Sequence, residues 1–332
     1  MIKTYLRHIK RTITSYFKYL DTNKQFVKQP CRCYNYFPID ATKVQDTWLM
    51  DFVRHYHVVP DGSKLNFISV FGNKEIIHFV KRPRVFYTGE NIHTDIVSKA
   101  RFQYSHDYMA KCDLSIGFDY QVSFTNTSYI RLPIWVFYII PFDADYAGIK
   151  AIIDRLNDPS TRRGNRDKFT AHIARHDNNG IRRKIITALQ DIDHVDCAGM
   201  FMNNTNDLFE KFGDDKLIYL STFKFNICPE NSDTTGYTTE KVFESIQAGC
   251  IPVYWGSDNN PEPDILNPEA IILFDERNPK NTQAKIKELY DNPKVYEEFI
   301  QIPPFKENAA EVIWTWIEQL KREMKQLYKI GG

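Results

Sequence analysis

Short apolar runs alternate with polar, helix-compatible stretches along most of the chain. Residues 65–70 and 85–88 are apolar, rich in β-forming residues, and separated by a helix-compatible segment at 74–80, which is typical of a βαβ unit. The second half repeats this order, and its predicted strands and helices are, in turn, 169–174, 181–189, 223–228, 239–248, 251–255 and 270–274. The alternation predicts an α/β fold with mainly parallel sheets, in which ligands bind at the carboxyl ends of the strands.

The domain organisation follows from chain length and from one polar segment. A chain of 332 residues, 42% of them hydrophobic, is long enough for about two domains. Residues 157–168 are polar throughout and carry Pro159 and Gly164, so they are the best candidate for a linker. We therefore predict an N-terminal domain at 1–158, a C-terminal domain at 165–305 and a terminal helix within 306–332 that packs back on the structure. Two such domains would face each other across a cleft.

Both ends of the chain have helical periodicity. The stripe in the final helix, 309–328, is expected to pack in a core rather than to bind a partner. Residues 1–20 predict a basic amphipathic helix, for which peripheral contact with a membrane surface and packing on its own domain are both open. Its apolar residues are Ile2, Leu6, Ile9, Ile13, Phe17 and Leu20, and its basic residues are Lys3, Arg7, Lys10, Arg11 and Lys18.

Composition and charge exclude several classes of protein. The 43 basic and 42 acidic side chains nearly cancel, so no nucleic-acid partner is expected. The longest uncharged apolar run, 132–142, falls short of the roughly 20 residues that span a bilayer. The six cysteines are scattered rather than arranged as a disulfide framework or a zinc site, and residues 1–20 do not resemble a signal peptide. A cytoplasmic location without a structural metal is therefore expected.

The segment 223–256 has the highest density of polar and charged side chains where a predicted strand ends. Its order is strand, polar loop, helix and strand, with Glu230, Asn231 and Ser232 at the mouth of the first strand and Lys241 in the first turn of the helix. Unpaired amides at a helix N-terminus, together with a lysine, suit a diphosphate. A capped surface helix with a solvated Lys241 is the alternative. The chain has neither a Walker motif nor a GxGxxG turn, which weakens ordinary nucleotide-binding alternatives.

This segment closely resembles the signature of the α1,3/4-fucosyltransferases, family ten of the glycosyltransferases. The matching blocks are ENS at 230–232, GYTTEK at 236–241 and PVYWG at 252–256, with a departure at Pro229, where an aromatic residue is usual. A second resemblance lies upstream, in VFYTGEN at 85–91, SIGFD at 115–119 and YIRLP at 129–133. The blocks occur in the family's order and spacing over residues 85–256.

The resemblance implies a GT-B type fold of two Rossmann-like domains, the first holding the acceptor and the second holding GDP-fucose. It implies an inverting transfer of L-fucose, without a metal ion, to O3 of GlcNAc or Glc in a lactosamine- or lactose-type oligosaccharide acceptor. Glu90 would be the general base, and Glu240 a catalytic or ribose-binding carboxylate. Arg182, or its neighbour Arg183, would bind the diphosphate. The remaining donor-binding residues would be Glu230, Asn231, Ser232, Tyr237, Thr239 and Lys241.

Three rival hypotheses are set against this one. Asp143-Ala144-Asp145 follows an apolar run, as the metal-binding Asp-x-Asp of GT-A glycosyltransferases does, and it would hold manganese. A related GT-B transferase with another nucleotide-sugar donor would share the same segments. A non-catalytic glycan- or nucleotide-binding relative would keep the fold, although one set of residues occurring together argues against it: Glu90, Arg182, Glu240 and Lys241.

Overall fold

The computed structural model describes residues 2–36, 42–93 and 109–329, with side chains from residue 5 onward in the first helix. The chain forms two units, the first containing residues 1–144 and 314–332 and the second residues 145–313. Residues 146–157 therefore belong to the second unit, although they fall within the range 1–158 that was predicted for the N-terminal domain. The chain returns to the first unit within its final helix.

The first unit is built on five short strands in sequence order. The strands are β1 Cys31–Tyr34, β2 Leu65–Ile68, β3 Arg84–Tyr87, β4 Leu114–Gly117 and β5 Ser128–Arg131, and the helices are α1 Ile2–Gln25, α2 Val44–His55 and α3 Trp135–Ile139. The sheet order is β1-β2-β3-β4-β5 and all pairs are parallel, as the alternation predicted. A 3₁₀ helix at Lys74–His78 replaces the helix-compatible segment between β2 and β3.

Aromatic residues join α2 and α3 in the core of this unit. Trp48 has no exposed surface, stacks on Phe137 with 4.5 Å between ring centroids, and donates from Nε1 to the carbonyl of Ile140 at 2.7 Å. A buried indole N–H needs such an acceptor, because leaving it unpaired would cost the desolvation of the group. This contact fixes α2 against α3, which follows the strand that ends at Arg131.

Helix α1 packs on this unit with a face of polar residues and the ring of Tyr19. Ser15 and Thr22 are buried, and Asn23 accepts a hydrogen bond from the Tyr34 hydroxyl at 2.9 Å. The helix therefore rests on its own domain, which was one of the two alternatives, but its apolar stripe points away from that domain. The exposed apolar side chains are Tyr5, Leu6, Ile9, Ile13, Tyr16 and Phe17. The side chains of Ile2 and Lys3, which the sequence analysis also assigned to the helix, lie outside the described residues.

The second unit carries the other parallel sheet. Its strands are β6 Lys168–His172, β7 Val195–Cys197, β8 Phe223–Ile227, β9 Ile251–Tyr254 and β10 Ile272–Leu273. Its helices are α4 Tyr146–Asn157, α5 Ile181–Gln190, α6 Asp207–Glu210, α7 Lys216–Leu220, α8 Glu240–Gln247, α9 Pro279–Asp291, α10 Pro293–Phe299 and the start of α11 Ala309–Gln326. The sheet order is β10-β9-β8-β6-β7, again parallel throughout.

The segment proposed as a linker is ordered by a buried arginine. Residues Pro159–Arg162 form a 3₁₀ helix, and Arg166 is 8% exposed. Its guanidinium donates to the carbonyls of Phe223 at 3.0 Å and Ala248 at 2.9 Å. Because one guanidinium satisfies carbonyls at the start of β8 and at the end of α8, it links this strand to this helix. The segment 157–168 thus combines exposed polar residues with two buried arginines, Arg162 and Arg166.

Two further findings concern the cysteines and the membrane. All six cysteines are buried free thiols, and burial raises the pKa of Cys31, Cys112 and Cys250 to about 12. Thiols in this state are poor nucleophiles and metal ligands. Within the described ranges, no helix is both long and apolar enough to cross a membrane. The expected cytoplasmic location stays a prediction.

Candidate functional site

Polar residues of the second unit meet at the carboxyl edge of its sheet. Strands β6, β8 and β9 are parallel neighbours, and they end at His172, Ile227 and Tyr254. The main chain after β8 runs beside the end of β9, where the Glu230 amide donates to the Trp255 carbonyl at 2.8 Å. The polar segment 223–256 therefore lies at the edge where parallel α/β sheets bind their ligands.

Glu230 organises the beginning of α8. It has no exposed surface, and one carboxylate oxygen accepts from the Thr239 amide at 2.7 Å. The other oxygen accepts from the Thr239 hydroxyl at 2.7 Å and from the Lys241 ammonium at 3.0 Å. Thr239 is the N-cap residue of α8 and makes no capping bond with its own side chain, and Glu230 accepts the hydrogen bond from its amide. One buried carboxylate thus orients two other residues of the predicted donor-binding set.

Lys241 is a fixed positive charge at this helix terminus. Its ammonium lies 3.0 Å from a carboxylate oxygen of Glu230 and 3.6 Å from one of Glu240, and its side chain is 20% exposed. Burial acts to lower the pKa of Lys241, but the two carboxylates outweigh burial and raise it. The alternative in which Lys241 is solvated on a surface helix is therefore wrong.

Glu240 adds an ionised carboxylate to the same turn. Burial acts to raise its pKa, but the charges of Lys241 and Lys216 outweigh that effect and the pKa is lowered. Lys216, at the beginning of α7, also pairs with Glu244. Carboxylates and ammonium groups therefore alternate along one side of the site.

The structure separates the two candidate arginines. Arg182 is 3% exposed and donates to the Asn231 side-chain oxygen at 2.7 Å and to the His176 carbonyl at 2.7 Å. Its Nε is buried, and no described residue accepts from it. Arg183 is exposed and lies over the ring of Phe201, with 5.4 Å from Cζ to the centroid. Only Arg182 joins Asn231 in the predicted donor-binding cluster.

Asp177 positions the backbone of both arginines. Its carboxylate oxygens accept from the amides of Arg182 at 3.2 Å and Arg183 at 3.1 Å, in the first turn of α5. The preceding Gly180 has a φ of 80°, a conformation that favours glycine and lets the chain turn into the helix. Capping by Asp177 satisfies the first amides of α5, and it holds the Arg182 side chain at the edge of the sheet.

A small pocket connects these groups with His172 at the end of β6. Arg182, Lys216, Lys241 and His172 all line it. The His172 Nδ1 lies 2.9 Å from the Ile227 carbonyl, so Nδ1 carries the proton and Nε2 carries a lone pair. Nε2 is buried, and it has no partner within the described part of the chain. Desolvation lowers the pKa of His172 to about 4, so the ring is neutral beside three cations.

Two loops of the motif are hydrogen-bonded to each other. The Gly236 amide donates to the Ser257 hydroxyl at 3.1 Å, and the Asp258 amide donates to an Asp233 carboxylate oxygen at 2.7 Å. Residues 257–259 have φ values of 53°, 52° and 51°, a left-handed conformation that non-glycine residues adopt only when surrounding contacts impose it. The loop after β9 therefore supports the loop that carries Tyr237 and Ser232, both of them buried.

Glu90 lies in the first unit, beside a pocket of its own. It follows β3, and its amide donates to the Thr88 hydroxyl at 2.9 Å. A cavity of about 210 Å³ adjoins it, lined largely by aromatic side chains. A Cβ on Gly89 would lie 2.3 Å from a methyl carbon of Ile134, so this position requires glycine. The other lining residues are Tyr36, Gln45, Asp46, Ser69, Phe71, Tyr87, Phe137 and Tyr138.

The Asp-x-Asp segment has a structural explanation. A carboxylate oxygen of Asp145 accepts from the Gly148 amide at 2.8 Å and so caps α4. Asp143 is exposed in the preceding turn. No group of three or more acidic, histidine or cysteine side chains suited to a metal occurs among the described residues. An N-cap aspartate before an apolar-faced helix produces the same sequence pattern as a metal-binding pair.

Sequence analysis missed two members of the site. His172 lies within the strand predicted at 169–174 and is the last residue of β6, and a polar residue near the end of a strand is a usable signal. Lys216 gives no such signal, because its partner Glu244 is separated from it by β8 and is brought near only by the fold. The predicted residues Glu230, Asn231, Thr239, Glu240, Lys241 and Arg182 lie at one edge of one sheet, whereas Glu90 lies in the other unit.

Two family models match the chain. The model described as "Alpha-(1,3)-fucosyltransferase FucT N-terminal domain" matches residues 33–138. The model described as "Glycosyltransferase family 10 (fucosyltransferase) C-term" matches residues 164–321. The first match contains Glu90, and the second contains every predicted donor-binding residue.

Curated relatives match over shorter parts of their length. The alpha-(1,3)-fucosyltransferase FucT of Helicobacter pylori is 27% identical over 267 residues, covering 68% of this chain and 51% of the relative. The alpha-(1,3)-fucosyltransferase B of Drosophila melanogaster is 35% identical over 85 residues, which is 26% of this chain and 19% of that protein. The GDP-fucose protein O-fucosyltransferase 3 of Xenopus laevis is 35% identical over 114 residues, with 32% and 24% covered. The chain spans about half the length of the bacterial relative.

Solved structures share the architecture. A crystal structure of an alpha1,3-fucosyltransferase aligns with a TM-score of 0.56 at 21% identity, covering 89% of this chain and 91% of the other. A crystal structure of an alpha1,3-fucosyltransferase with GDP-fucose aligns with a TM-score of 0.50 at 22% identity, covering 79% and 78%. Together with the two parallel sheets, the alignment identifies the fold as GT-B type with two Rossmann-like units.

Proposed function

Because the chain belongs to the α1,3/4-fucosyltransferase family, family ten of the glycosyltransferases, we propose that it transfers L-fucose from GDP-β-L-fucose to a glycan hydroxyl. The transfer inverts the anomeric centre and gives an α-linked product. The observation that carries the proposal is the cluster at the carboxyl edge of the second sheet, where Arg182, Lys241 and the beginning of α8 present positive charge. This is the chemistry that a nucleoside diphosphate requires.

The donor half of the reaction uses groups that are already positioned. As the bond between C1 of fucose and the β-phosphate oxygen breaks, negative charge accumulates on the departing GDP. Lys241 is held by Glu230 and Arg182 by Asn231, so neither cation has to reorient when that charge develops. Glu240 lies in the same turn and is placed to bind the ribose hydroxyls or to stabilise the oxocarbenium-like sugar.

The acceptor half uses Glu90. The acceptor hydroxyl forms a bond to C1 as the phosphate leaves, and its proton passes to the Glu90 carboxylate. The cavity of about 210 Å³ beside Glu90 has aromatic walls formed by Tyr36, Tyr87 and Tyr138, among others. Aromatic faces suit the apolar faces of sugar rings. An acceptor of the lactosamine or lactose type, fucosylated at O3 of GlcNAc or Glc, is the proposed substrate.

A donor and acceptor screen tests the proposal. GDP-fucose is combined with lactose, N-acetyllactosamine and its β1,3 isomer, and the products are read by mass and linkage analysis. An α-linked fucose on one of these acceptors is the expected result. Transfer from GDP-mannose or a UDP-sugar with none from GDP-fucose would favour another GT-B transferase, and donor binding without turnover on any acceptor would favour a non-catalytic relative.

The reaction is proposed to need no metal ion. Charge on the departing GDP is met by Arg182, Lys241 and a helix N-terminus, and Asp145 is engaged in capping α4. We expect full activity in excess EDTA. Loss of more than about nine tenths of the rate, with recovery on addition of manganese, would contradict this proposal and would support metal binding by Asp143 and Asp145.

A further inference from the structure

We propose that α1 docks in the plane of an anionic lipid bilayer through its outward apolar stripe. The proposal concerns a surface that the transfer reaction does not use. It begins with the way α1 is attached, because the helix rests on the first unit through Ser15, Thr22 and Asn23. Tyr19 adds a stacked ring on Tyr34, with 5.8 Å between centroids. The contacts that anchor the helix thus leave its apolar stripe uncovered.

The outward stripe extends from Tyr5 to Phe17 of the helix. Leu6, Ile13 and Phe17 are 58%, 52% and 60% exposed, and Ile9 and Tyr5 also reach solvent. At 100° per residue, Leu6, Ile13 and Phe17 fall within about 40° of one another on the helix surface. Surface residues of this type are normally scattered singly, so a row of them marks an interaction surface.

The basic residues beside the stripe indicate an anionic partner. The helix contains six basic residues and one acidic residue, Asp21. Lys10 and Lys24 are exposed and lie at nearly the same helical angle as the stripe, and the exposed Arg7 lies further round the same side. Anionic lipid headgroups supply the matching charge, whereas a second copy of this helix would oppose cation to cation. The acyl boundary of a bilayer can accept the apolar side chains at the same time.

The geometry fits a helix that lies on the membrane rather than crosses it. Its 24 residues carry seven charged side chains, and no described helix qualifies as a membrane span. A helix of this composition buries its apolar face at the headgroup boundary and keeps its cations at the phosphates. Because the face opposite the stripe is occupied by the first unit, docking would bring that unit to the bilayer surface.

The test is vesicle co-sedimentation of the full chain. Binding is compared between mixed phosphatidylcholine–phosphatidylserine vesicles and pure phosphatidylcholine vesicles, at low and high salt. We expect binding to the anionic vesicles that weakens as salt is raised. Absence of binding to anionic vesicles, or equal binding to both vesicle types, would overturn the proposal.

Matched variants separate the stripe from general surface hydrophobicity. The triple variant Leu6→Ser, Ile13→Ser, Phe17→Ser should bind anionic vesicles at least about tenfold more weakly, because it removes the inserted groups. The control replaces three exposed apolar residues of the second unit, Met200, Phe209 and Ile218, by serine and should bind normally. Equal loss in both variants would contradict a role specific to α1.

A second variant changes only exposed charges, so its result does not depend on whether the serine variant folds. Replacing Arg7, Lys10 and Lys24 by glutamine should abolish the salt-sensitive part of binding and leave the thermal melt unchanged, because all three side chains are exposed. Light scattering of the unmodified chain is the companion measurement. A dimer that the serine variant converts to a monomer, with no vesicle binding, would assign the stripe to self-association and overturn the proposal.

Discussion

Several motif residues hold one another in place at the carboxyl edge of the second sheet. Gly256 has a φ of 126°, and a Cβ there would lie 2.8 Å from the Cβ of Glu230. Glycine is therefore required for the chain after β9 to pass Glu230, which in turn holds Thr239 and Lys241. Glu230 is fully buried, so we expect it to affect the proposed donor only through the residues it positions. A sequence motif records such supporting contacts together with direct ones.

Glu90→Gln should separate chemistry from donor binding. The amide cannot take the acceptor proton, whereas the donor-binding cluster lies in the other unit and is unchanged. We expect turnover to fall about a hundredfold or more with nearly intact GDP-fucose affinity. Initial rates and calorimetric titration of GDP-fucose measure the two quantities, with the exposed Asp61→Asn as the control. Weakened donor binding at unchanged turnover would remove Glu90 from the base role.

A pair of arginine variants tests the assignment of the diphosphate ligand. Arg182→Lys loses the planar fork that bonds Asn231 and His176, and it should weaken GDP binding about tenfold or more. Arg183→Lys makes the same chemical change one residue away on an exposed side chain, and it should leave the dissociation constant nearly unchanged. Fluorescence or calorimetric titration with GDP provides both values. The opposite ranking would transfer the diphosphate contact to Arg183.

Single residues were predictable from the sequence where a motif named them, and unpredictable where only the fold brings partners together. Glu90, Arg182 and Lys241 were proposed from a resemblance, and they stay predictions as ligand contacts. Lys216 could not be found, since its partner Glu244 is reached only after β8 has paired in the sheet. Burial of Arg166 was equally invisible, because a polar segment and a segment rich in buried hydrogen bonds have the same composition.

At the scale of elements, the positions of strands and helices were predicted well. The side of a helix that packs on the protein was predicted less well. The run 251–255 corresponds to β9 Ile251–Tyr254, and 181–189 corresponds to α5 Ile181–Gln190, because apolar runs of these lengths can be buried in few ways. The direction in which α1 faces was not predictable. An amphipathic pattern gives the angle between apolar and polar faces, but it does not say which of the two meets the domain.

The end of β6 provides an element-level test of stability against pH. His172 bridges β6 to β8 through the Ile227 carbonyl, and desolvation lowers its pKa from 6.5 to about 4 in the folded state. The unfolded chain therefore binds more protons between pH 6.5 and 4. Stability contributed by the neutral ring is fully present above pH 6.5 and is lost as pH falls towards 4.

Urea unfolding of the unmodified chain at pH 7 and pH 5 should show a loss of about 2 kcal/mol from His172. His172→Phe keeps a ring of similar size without a titrating group, so its stability should fall by that much less over the same interval. The exposed His194→Gln is the control and should behave as the unmodified chain does. Equal pH dependence in all three proteins would show that His172 is not desolvated.

At the scale of the whole molecule, the return of the chain to the first unit was beyond sequence reasoning. The apolar stripe of the last helix predicted packing, and Ile313, Leu320 and Met324 are indeed fully buried. An apolar stripe of this kind would pack equally well against either unit, so the sequence does not identify which unit it covers. The helix begins in the second unit and ends in the first, where Trp316 meets Trp135 with 6.1 Å between ring centroids. Only the tertiary structure identifies the surface it covers.

This arrangement predicts that damage near the C-terminus destabilises the N-terminal part of the chain. Leu320→Ala leaves a cavity in the first unit and should cost about 2–5 kcal/mol there. Hydrogen exchange should rise in strands β1 to β5 and stay unchanged in β6 to β10, and GDP should still bind, because its proposed ligands lie in the second unit. Lys325→Ala, at an exposed position of the same helix, should alter neither quantity. Uniform loss of protection across both sheets would mean that the units unfold together, and that the last helix stabilises the whole chain rather than one unit.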